Sequence, residues 1–308
     1  MSEEILLKDF EEATGESLSE LVKEKISECE FIYEKLAWSE RDRLISLIVD
    51  YLLEEDFIVR SGPHRVTDWI KGWGENHTEF SDSRDFNSLI PKYFGKHPYV
   101  RWQGEWIKPC NKDFEYNMVR ILQYWLFEKF FSSCDNIYEF GCGTGHNLFR
   151  AQEVNESANI TGLDWATSSQ EAIKEINKIY GFDFKFHNFD FYNVDNDFVL
   201  GDTSGVYTFA ALEQIGDNYH DFVDYLIKNN PSVCVHIEPI AECLDDSNIC
   251  DYLSIKYFEK RKYLSGFAKH LGALADEDKI EIIYEKRSFI GSVFINGYSV
   301  IAWRSTNA

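Results

Sequence analysis

The sequence has no apolar run long enough to cross a membrane as a helix, which takes about 20 apolar residues. Its most apolar stretch, LISLIVDYLL at 44–53, is short and includes Asp50, so we expect a buried helix there. The acidic beginning, MSEEILLKDFEE, lacks the basic start and apolar core of a signal peptide. These absences predict a soluble, cytoplasmic protein without membrane insertion.

Cysteine pairs are missing as well. Seven cysteines are scattered through 308 residues, and none belongs to a C-x-x-C motif. An odd number in a chain of this length argues against a small disulfide-stapled fold. We therefore expect reduced thiols and no metal site, while spacing alone leaves open a cluster of Cys and His in space. The chain also lacks a G-x-x-x-x-G-K-[ST] loop, a G-x-S-x-G elbow and an H-E-x-x-H pair.

Positive charge is scarce, since 31 Lys and Arg stand against 53 Asp and Glu and the net charge is −22. Binding to phosphate backbones draws on clustered Lys and Arg, so this balance excludes general binding to nucleic acid or anionic membranes. The stretch 91–112, PKYFGKHPYVRWQGEWIKPCNK, is the exception. It carries five Lys and Arg against Glu105 alone, together with five aromatic residues.

Residues 1–60 have apolar residues at three- and four-residue steps, which predicts two amphipathic helices over 17–36 and 39–58. We expect 61–112, with its Pro, Gly and Trp residues, to be irregular with short helices. A further helix is predicted over about 113–132.

From residue 136 onward, short β-rich runs alternate with helical runs. The predicted strands are 136–140, 159–164, 182–190, 205–212, 232–238, 279–289 and 298–304. Such alternation indicates a mostly parallel sheet covered on both faces. The last two strands, which follow each other directly, suggest a hairpin that adds an antiparallel member. The predicted fold is therefore α/β, with a doubly wound, mostly parallel seven-stranded sheet.

The turn after the first of these strands, NIYEFGCGTGHNLF at 136–149, is rich in glycine. Gly141, Gly143 and Gly145 are spaced G-x-G-x-G, and His146 stands where a G-x-G-x-x-G dinucleotide fingerprint has its third glycine. Glu139 precedes the first glycine by two residues. This E-x-G-x-G-x-G pattern resembles motif I of the class I S-adenosylmethionine-dependent methyltransferases.

The resemblance extends over about 115–305 and implies a Rossmann-like fold that binds S-adenosylmethionine. Asp164, at the end of the second strand, corresponds to the carboxylate that accepts the two ribose hydroxyls of the donor. Trp165 would lie against the adenine, Asp190 would take the adenine amino group, and the backbone of Phe191 would reach the ring. Ala210, in a run similar to the fourth motif, would pass the methionine portion. The implied cofactor-binding residues are Glu139, Gly141, Cys142, Gly143, Gly145, Asp164, Trp165, Asp190, Phe191 and Ala210.

The catalytic base is less clear from the motifs. The family often has His after the Glu of the fourth motif, but this chain has Gln214, which cannot act as a base near neutral pH. His220 is the first candidate, because it is predicted at the start of the following helix. Glu238, with His236 two residues before it on one strand, is the second, and Glu213 could orient either or contact the acceptor.

Residues 1–114 are predicted to form a helical or irregular cap that binds the acceptor, and 115–308 the methyltransferase domain. The predicted substrate-binding residues are Tyr93, Lys96, His97, Arg101, Trp102 and His236. Aromatic rings suit sugar faces, and Lys or Arg suits phosphate or carboxylate.

The expected activity is methyl transfer to a small molecule, a hydroxyl of a sugar or nucleotide-linked sugar, as in carbohydrate modification. A protein-directed methyltransferase and a catalytically silent subunit that binds an adenosyl ligand are the alternatives. The sequence is compatible with a homo-oligomer and predicts no nucleic-acid partner.

Overall fold

The computed structural model describes residues 2–54 and 59–306. In these ranges the strands are β1 Ser2–Glu4, β2 Ile32–Lys35, β3 Val100–Trp102, β4 Glu105–Pro109, β5 Asn136–Phe140, β6 Asn159–Asp164, β7 Lys185–Asn188, β8 Ser204–Phe209, β9 Val233–Glu238, β10 Ile280–Arg287, β11 Ile290–Gly291 and β12 Ser299–Ser305. The α-helices are α1 Leu7–Thr14, α2 Glu20–Ser27, α3 Trp38–Leu53, α4 Val66–Ser83, α5 Phe114–Phe131, α6 Leu148–Val154, α7 Thr167–Tyr180, α8 His220–Asn229, α9 Ile249–Arg261 and α10 Phe267–Asp276. No helix of the described chain has the length and apolar character that crossing a bilayer requires.

The larger sheet has seven strands in the order β10-β12-β9-β8-β5-β6-β7. Strands β9, β8, β5, β6 and β7 pair in parallel, and β12 is antiparallel to both of its neighbours, β9 and β10. Every residue of β8 and β9 is buried, as expected for parallel strands covered on both faces. The predicted seven-stranded α/β sheet with an antiparallel closing strand is confirmed, and the sheet is mixed rather than strictly parallel.

A smaller antiparallel sheet, in the order β1-β2-β4-β3-β11, was not predicted. The predicted helix over 17–36 is wrong beyond Ser27, because Tyr33, Glu34 and Lys35 pair with β4 instead. Residues 100–109 are a hairpin whose turn, Gln103 and Gly104, has φ of 47° and 85°. Pairing between distant segments here overrides the local helical pattern.

The region before Phe114 is thus a mixture of helices and strands rather than helical throughout, and β11, from the C-terminal part of the chain, joins its sheet. Within the supposed irregular segment 61–112, α4 is a helix of 18 residues. The second predicted helix corresponds to α3, and its last four residues, 55–58, lie outside the described residues. The boundary at residue 114 stays a prediction.

Helix α5 agrees with its predicted position and is buried over most of its circumference. A helix that is apolar all round belongs between two layers. Its residues contact α2 and α6 as well as β11, so it lies between the small sheet and the large one. This position places Glu115, in its first turn, beside the crevice described next.

Candidate active site

The glycine turn lies where β5 ends, beside the ends of β6 and β8. In open α/β sheets, ligands bind beyond the carboxyl ends of the strands, at the point where strand order reverses. Gly141, Gly143 and Gly145 have φ of 81°, 54° and 78°, a region that side chains with a Cβ rarely adopt. A Cβ on Gly141 would overlap the side chain of Ala211, and one on Gly145 would come within 3.1 Å of Ile173. The turn therefore needs glycine both for its backbone and for close packing.

Asp164 fastens this turn to the end of β6. Its Oδ2 accepts the N–H of Gly143 at 2.8 Å, and its Oδ1 accepts the N–H of Ala166 at 2.8 Å. Burial raises the pKa of Asp164 to about 6, against the lowering effect of these two hydrogen bonds. A carboxylate has about four acceptor positions in all, so some remain for a ligand besides those used by these N–H groups and by the nearby hydroxyl of Ser169.

A small cavity of about 70 Å³ lies beside Asp164. Its lining is mostly apolar and includes several aromatic side chains, which suit the faces of a planar base. The lining residues are Trp69, Trp73, Gly141, Asp164, Trp165, Phe189, Phe191, Ala210, Ala211, Gln214 and Ile215. Trp165, predicted to lie against the adenine, and Phe191, whose backbone was predicted to reach the ring, are among them.

This small cavity meets a larger one at Gly141, Ala210 and Gln214, which line both. Ala210 has φ of 48°, and its N–H donates to the carbonyl of Ile237 at 3.0 Å. A non-glycine residue in this region costs free energy and tends to occur at functional sites. The predicted positions at the ends of β5 and β8 therefore meet in one crevice.

The larger cavity has a volume of about 740 Å³, the size of a small-molecule site. Its walls come from α3, α4, α5, α9, the glycine turn and three loops. Charged and ring-bearing residues in the lining include Tyr51, Arg65, Trp69, Trp73, Tyr93, Lys96, His97, Tyr99, Glu115, His146, Phe209, Glu213, Tyr257, Arg261, Tyr263, Phe294 and Tyr298. The cavity also reaches Cys142, Gly143 and Asn147 of the turn.

Of the three predicted catalytic residues, Glu213 lines this cavity. Its Oε1 accepts a hydrogen bond from Gln214 Nε2 at 2.7 Å, and its buried Oε2 has no partner within the described chain. Burial raises the pKa of Glu213 to about 8. The nearby carboxyl of Glu238 adds to the effect, while Arg261 and the side chains of Gln214 and Tyr263 oppose it. Glu213 can therefore exchange a proton near neutral pH.

Glu238 has a different role from the predicted one. Its Oε1 accepts the N–H groups of Ala211 and Leu212 at 3.0 and 3.1 Å, and its Oε2 accepts that of Glu213 at 3.2 Å. It is fully buried, and it is absent from the described lining of both cavities. Glu238 thus holds the short 3-10 helix Leu212–Ile215 in place instead of facing an acceptor.

The two predicted histidines also lie away from the crevice, so their roles in it are corrected. His236 is buried in the core, where its Nδ1 lies 3.0 Å from Thr208 Oγ1 and burial lowers its pKa to about 3. His220 is exposed at the start of α8, with its ring 4.4 Å from that of His270. Neither belongs to the described lining of the two cavities.

Two predicted cofactor residues have other partners. Asp190 Oδ1 accepts the N–H of Tyr192 at 2.9 Å, and the side chain lines a separate surface depression. Glu139 is buried behind the turn, where it accepts hydrogen bonds from Asn147 at 2.7 Å and Tyr207 at 3.1 Å. Burial raises the pKa of Glu139 to about 8. Neither residue is among the described lining of the crevice, so direct donor contacts are not expected from their side chains.

The predicted substrate-binding stretch divides in two. Tyr93, Lys96 and His97 line the large cavity. Arg101 is buried in β3, with its guanidinium 3.3 Å from the ring centre of Trp106, and it donates to the carbonyl of Gly104 at 3.1 Å. Trp102 packs edge-to-face on Phe10 and Phe289 in the core. Their predicted acceptor contacts are corrected, because β3 is covered on both faces.

Helix α4 supplies site residues that the sequence reasoning missed. The rings of Trp69 and Trp73 stack at 5.2 Å between centres, and both line the two cavities. A Cβ on Gly143 would lie 3.1 Å from the ring of Trp73. The i, i+4 spacing of these tryptophans was the available signal, since it places them on one helix face.

The arginine at the end of α9, Arg261, and Tyr263 after it were missed too, as was Glu115. Gly95 donates its N–H to Glu115 Oε2 at 3.1 Å, and burial raises the pKa of Glu115 to about 7. In the described ranges no group of three His, Cys, Asp or Glu side chains is arranged to hold a metal ion.

Comparison with known proteins gives matches among solved structures alone, since no family model and no curated protein matches the chain. Among 609 matching chains, the plantazolicin methyltransferase BpumL, in complex with SAH (S-adenosylhomocysteine), aligns with 85% of this chain and 100% of its own, at 12% identity and a TM-score of 0.46. Magnesium protoporphyrin IX methyltransferase from Synechocystis PCC 6803, with bound SAH, aligns with 61% and 81%, at 14% identity and a TM-score of 0.44. A SAM-dependent methyltransferase from Aquifex aeolicus aligns with 59% and 89%, at 10% identity and a TM-score of 0.43.

All three are named as methyltransferases, the kind of protein that the glycine turn and Asp164 resemble.

Proposed function

We propose that the chain is a methyltransferase that uses S-adenosylmethionine (SAM) and acts on a small molecule. One observation carries the proposal: the glycine turn after β5 and the carboxylate of Asp164 at the end of β6 line a crevice that opens at Ala210 into a cavity of about 740 Å³. A planar pocket, an acceptor pair for a diol and a second chamber are the parts that an adenosyl donor and its acceptor require.

The residues of the crevice fit such a donor. Trp165 and Phe191 offer flat apolar surface for the adenine, and the free acceptor positions of Asp164 suit the ribose hydroxyls. At Gly141 and Gly143 the backbone is bare, so a ligand can approach it closely. When bound, the donor supplies a methyl group that its sulfonium already activates.

The tasks left to the protein are to orient the acceptor, exclude water and receive a proton. Orientation alone can lower a barrier by roughly 7–11 kcal/mol. Glu213 is the residue that we expect to receive the proton of an acceptor hydroxyl, because its Oε2 has no partner in the described chain and its side chain lines the larger cavity. General-base assistance of this kind is typically worth about 10²–10⁴-fold.

For the acceptor we propose a hydroxyl of a sugar or nucleotide-linked sugar. The aromatic rings of Tyr93 and Tyr99 and the cation of Lys96 support this class, because rings stack on sugar faces and cations bind phosphate. The volume of the cavity, about 740 Å³, favours a small molecule over a folded protein substrate.

The test has two parts, donor binding and methyl transfer. Calorimetry should give saturable 1:1 binding of SAM and of SAH to the wild type. The control variant Asp183→Asn should bind both ligands with wild-type affinity, since the carboxylate of Asp183 is exposed and pairs with Lys185. Labelled SAM should then transfer its methyl group to members of a sugar and nucleotide-sugar collection.

Failure to bind either adenosyl ligand would refute the proposal. Binding of SAM without transfer to any acceptor, including proteins, would indicate a silent binding subunit, and label in proteins alone would indicate a protein-directed enzyme. Each of these outcomes contradicts the proposed small-molecule activity.

A further inference from the structure

Several side chains that line the large cavity have a buried polar atom without a hydrogen-bond partner in the described chain. Buried polar groups in native proteins nearly always have a partner, so such a group calls for an explanation. Five of these atoms belong to side chains that line this cavity: Arg65 Nη1, Trp69 Nε1, Glu213 Oε2, Gln214 Oε1 and Arg261 Nε. Three of these atoms are hydrogen-bond donors and two are acceptors. A ligand that satisfies them therefore needs acceptor oxygens for the three donors and a hydroxyl or similar donor for the two acceptors.

The donors are held in fixed orientations. Arg65 Nε donates to Asp68 at 2.7 Å, and the guanidinium lies 5.4 Å from the ring centre of Trp69. The guanidinium of Arg261 lies 5.9 and 5.1 Å from the rings of Tyr257 and Tyr263. Because a stacked guanidinium loses little freedom on binding, such arginines are suited to carboxylate or phosphate groups.

A backbone contact joins the two segments that carry the arginines. Ser61 donates its N–H to the carbonyl of Arg261 at 2.8 Å, which ties the segment leading into Arg65 to the end of α9. Trp69, one turn after Arg65 on α4, adds a neutral donor beside them. Together they form a donor group that suits several oxygen atoms of one anion.

The acceptors lie at the junction of the two cavities, where Glu213 is close enough to Arg261 for each to shift the pKa of the other. Gln214 lines both cavities, and Glu213 precedes it on the short 3-10 helix Leu212–Ile215. Gln214 Oε1 and Glu213 Oε2 can each accept a hydrogen bond from a hydroxyl. The donor group and this acceptor pair line one cavity, so a single molecule that carries both an anionic group and a hydroxyl can bind to both.

The balance of charge in the cavity favours an anion over an amine. Arg65, Lys96 and Arg261 are cationic, whereas burial raises the pKa of Glu115 to about 7 and that of Glu213 to about 8. Arg65 is paired with the exposed carboxylate of Asp68, so the surplus of positive charge at neutral pH comes from Lys96 and Arg261.

We propose that the methyl acceptor is a hydroxylated anion, whose carboxylate or phosphate binds Arg65 and Arg261 while its reacting hydroxyl donates a hydrogen bond to Glu213. This inference rests on the proposed methyl transfer and defines the acceptor by its charge. A uronic acid and a sugar phosphate share this chemistry within the proposed class of sugars, and an aromatic hydroxy acid shares it outside that class.

Inorganic phosphate is the first probe, because it tests the arginine pair without requiring the true acceptor. With SAH at saturation, we expect phosphate to bind the wild type saturably by ligand-observed NMR or calorimetry. Arg261→Gln and Arg65→Gln should each weaken this binding roughly tenfold, about 1.4 kcal/mol, in the range of a charged hydrogen bond. Arg304→Gln is the matched control, since Arg304 is exposed and pairs with Glu281.

Matched acceptor pairs form the second arm and distinguish the sources of the anion. Glucuronate is compared with glucose, glucose 1-phosphate with methyl glucoside, and 3-hydroxybenzoate with phenol. The anionic member should bind better, and Arg261→Gln should remove the preference while SAH affinity stays at the wild-type value. If Arg261→Gln does not fold, Arg65→Gln and Arg261→Lys, which keeps the charge without the planar fork, take its place.

The inference is overturned if phosphate does not bind the wild type, if the arginine variants bind it as well as Arg304→Gln does, or if neutral acceptors bind as well as anionic ones. Failure of the wild type to bind SAH is a separate result, which would refute the proposed function itself.

Discussion

Replacing Asp164 with Asn tests the link between the glycine turn and the donor site. The carboxylate holds the N–H groups of Gly143 and Ala166, and it lines the small cavity. Asn has the same shape but a single acceptor oxygen, so one of the two N–H groups meets the amide NH2 instead of an acceptor. Asp164→Asn therefore perturbs the turn with little change in volume.

The size of the effect follows from these hydrogen bonds. Leaving one buried N–H without an acceptor costs about 1–3 kcal/mol, so the free energy of unfolding of the unliganded protein should fall by that amount. Part of the loss is offset, because Asn avoids the burial of charge that raises the pKa of Asp164 to about 6. SAH affinity should fall at least about tenfold, since the ribose hydroxyls also lose an acceptor.

Urea unfolding without ligand gives the first quantity, and calorimetric titration with SAH of the folded variant gives the second. Asp183→Asn, at an exposed position, should change neither. An unchanged free energy of unfolding would refute the role of Asp164 in fastening the turn, and an unchanged SAH affinity would refute its role toward the ribose.

The remaining predictions concern the turn and the two glutamates beside it. Gly141→Ala should abolish SAH binding or prevent folding, because φ is 81° and the added Cβ would overlap Ala211. The control, Gly72→Ala, lies in α4 with open space around it and should stabilise the protein by up to about 1 kcal/mol. Equal effects of the two substitutions on urea unfolding would contradict this. Because burial raises the pKa of Glu213 from 4.5 to about 8, the rate of methyl transfer should increase as the pH rises toward and past 8. Glu213→Gln should transfer the methyl group slowly, at a rate that does not depend on pH in this range. A Gln variant with the wild-type pH profile would exclude Glu213 as the base. The same shift means that the folded protein binds the extra proton between pH 4.5 and 8, so its free energy of unfolding should fall as the pH rises through that range, and less so in Glu213→Gln. Glu238→Gln should lower the free energy of unfolding by about 1–3 kcal/mol, since the carboxylate of Glu238 accepts three N–H groups of the loop that carries Glu213. The substitution should also lower kcat more than it raises the KM for SAM. A wild-type kcat in this variant would contradict the positioning role. Asp190→Asn should leave SAH affinity unchanged, because Asp190 faces a separate surface depression, and weaker binding would restore its predicted contact with adenine.

The fold of the C-terminal part was predictable because its signals are local. The strands alternate with helices, and the spacing of the three glycines marks a turn whose backbone has positive φ, although the close packing that also requires glycine comes from distant residues. Asp164 could be placed at the crevice for the same reason: the end of a parallel strand next to the turn fixes its location whatever the rest of the chain does.

Long-range contacts account for most of what was missed or wrong. Residues 32–35 were expected to be helical because their pattern is periodic, yet β4 recruits them into a strand. Arg261 lies at the end of a helix 120 positions after Gly141, and the arrangement of the chain in space, rather than any motif, brings it into the same cavity. Glu238 and Asp190 lie at the predicted strand ends, but their carboxylates accept hydrogen bonds from backbone N–H groups of the protein instead of facing the crevice.

The most direct measurement of the central claim is a crystal structure of the wild-type protein with SAH. We expect the adenine in the small cavity between Trp165 and Phe191, the ribose hydroxyls at Asp164, and the sulfur toward the large cavity near Ala210 and Glu213. SAH bound at another place, or a crevice that takes up a nicotinamide or triphosphate nucleotide and excludes SAH, would contradict it.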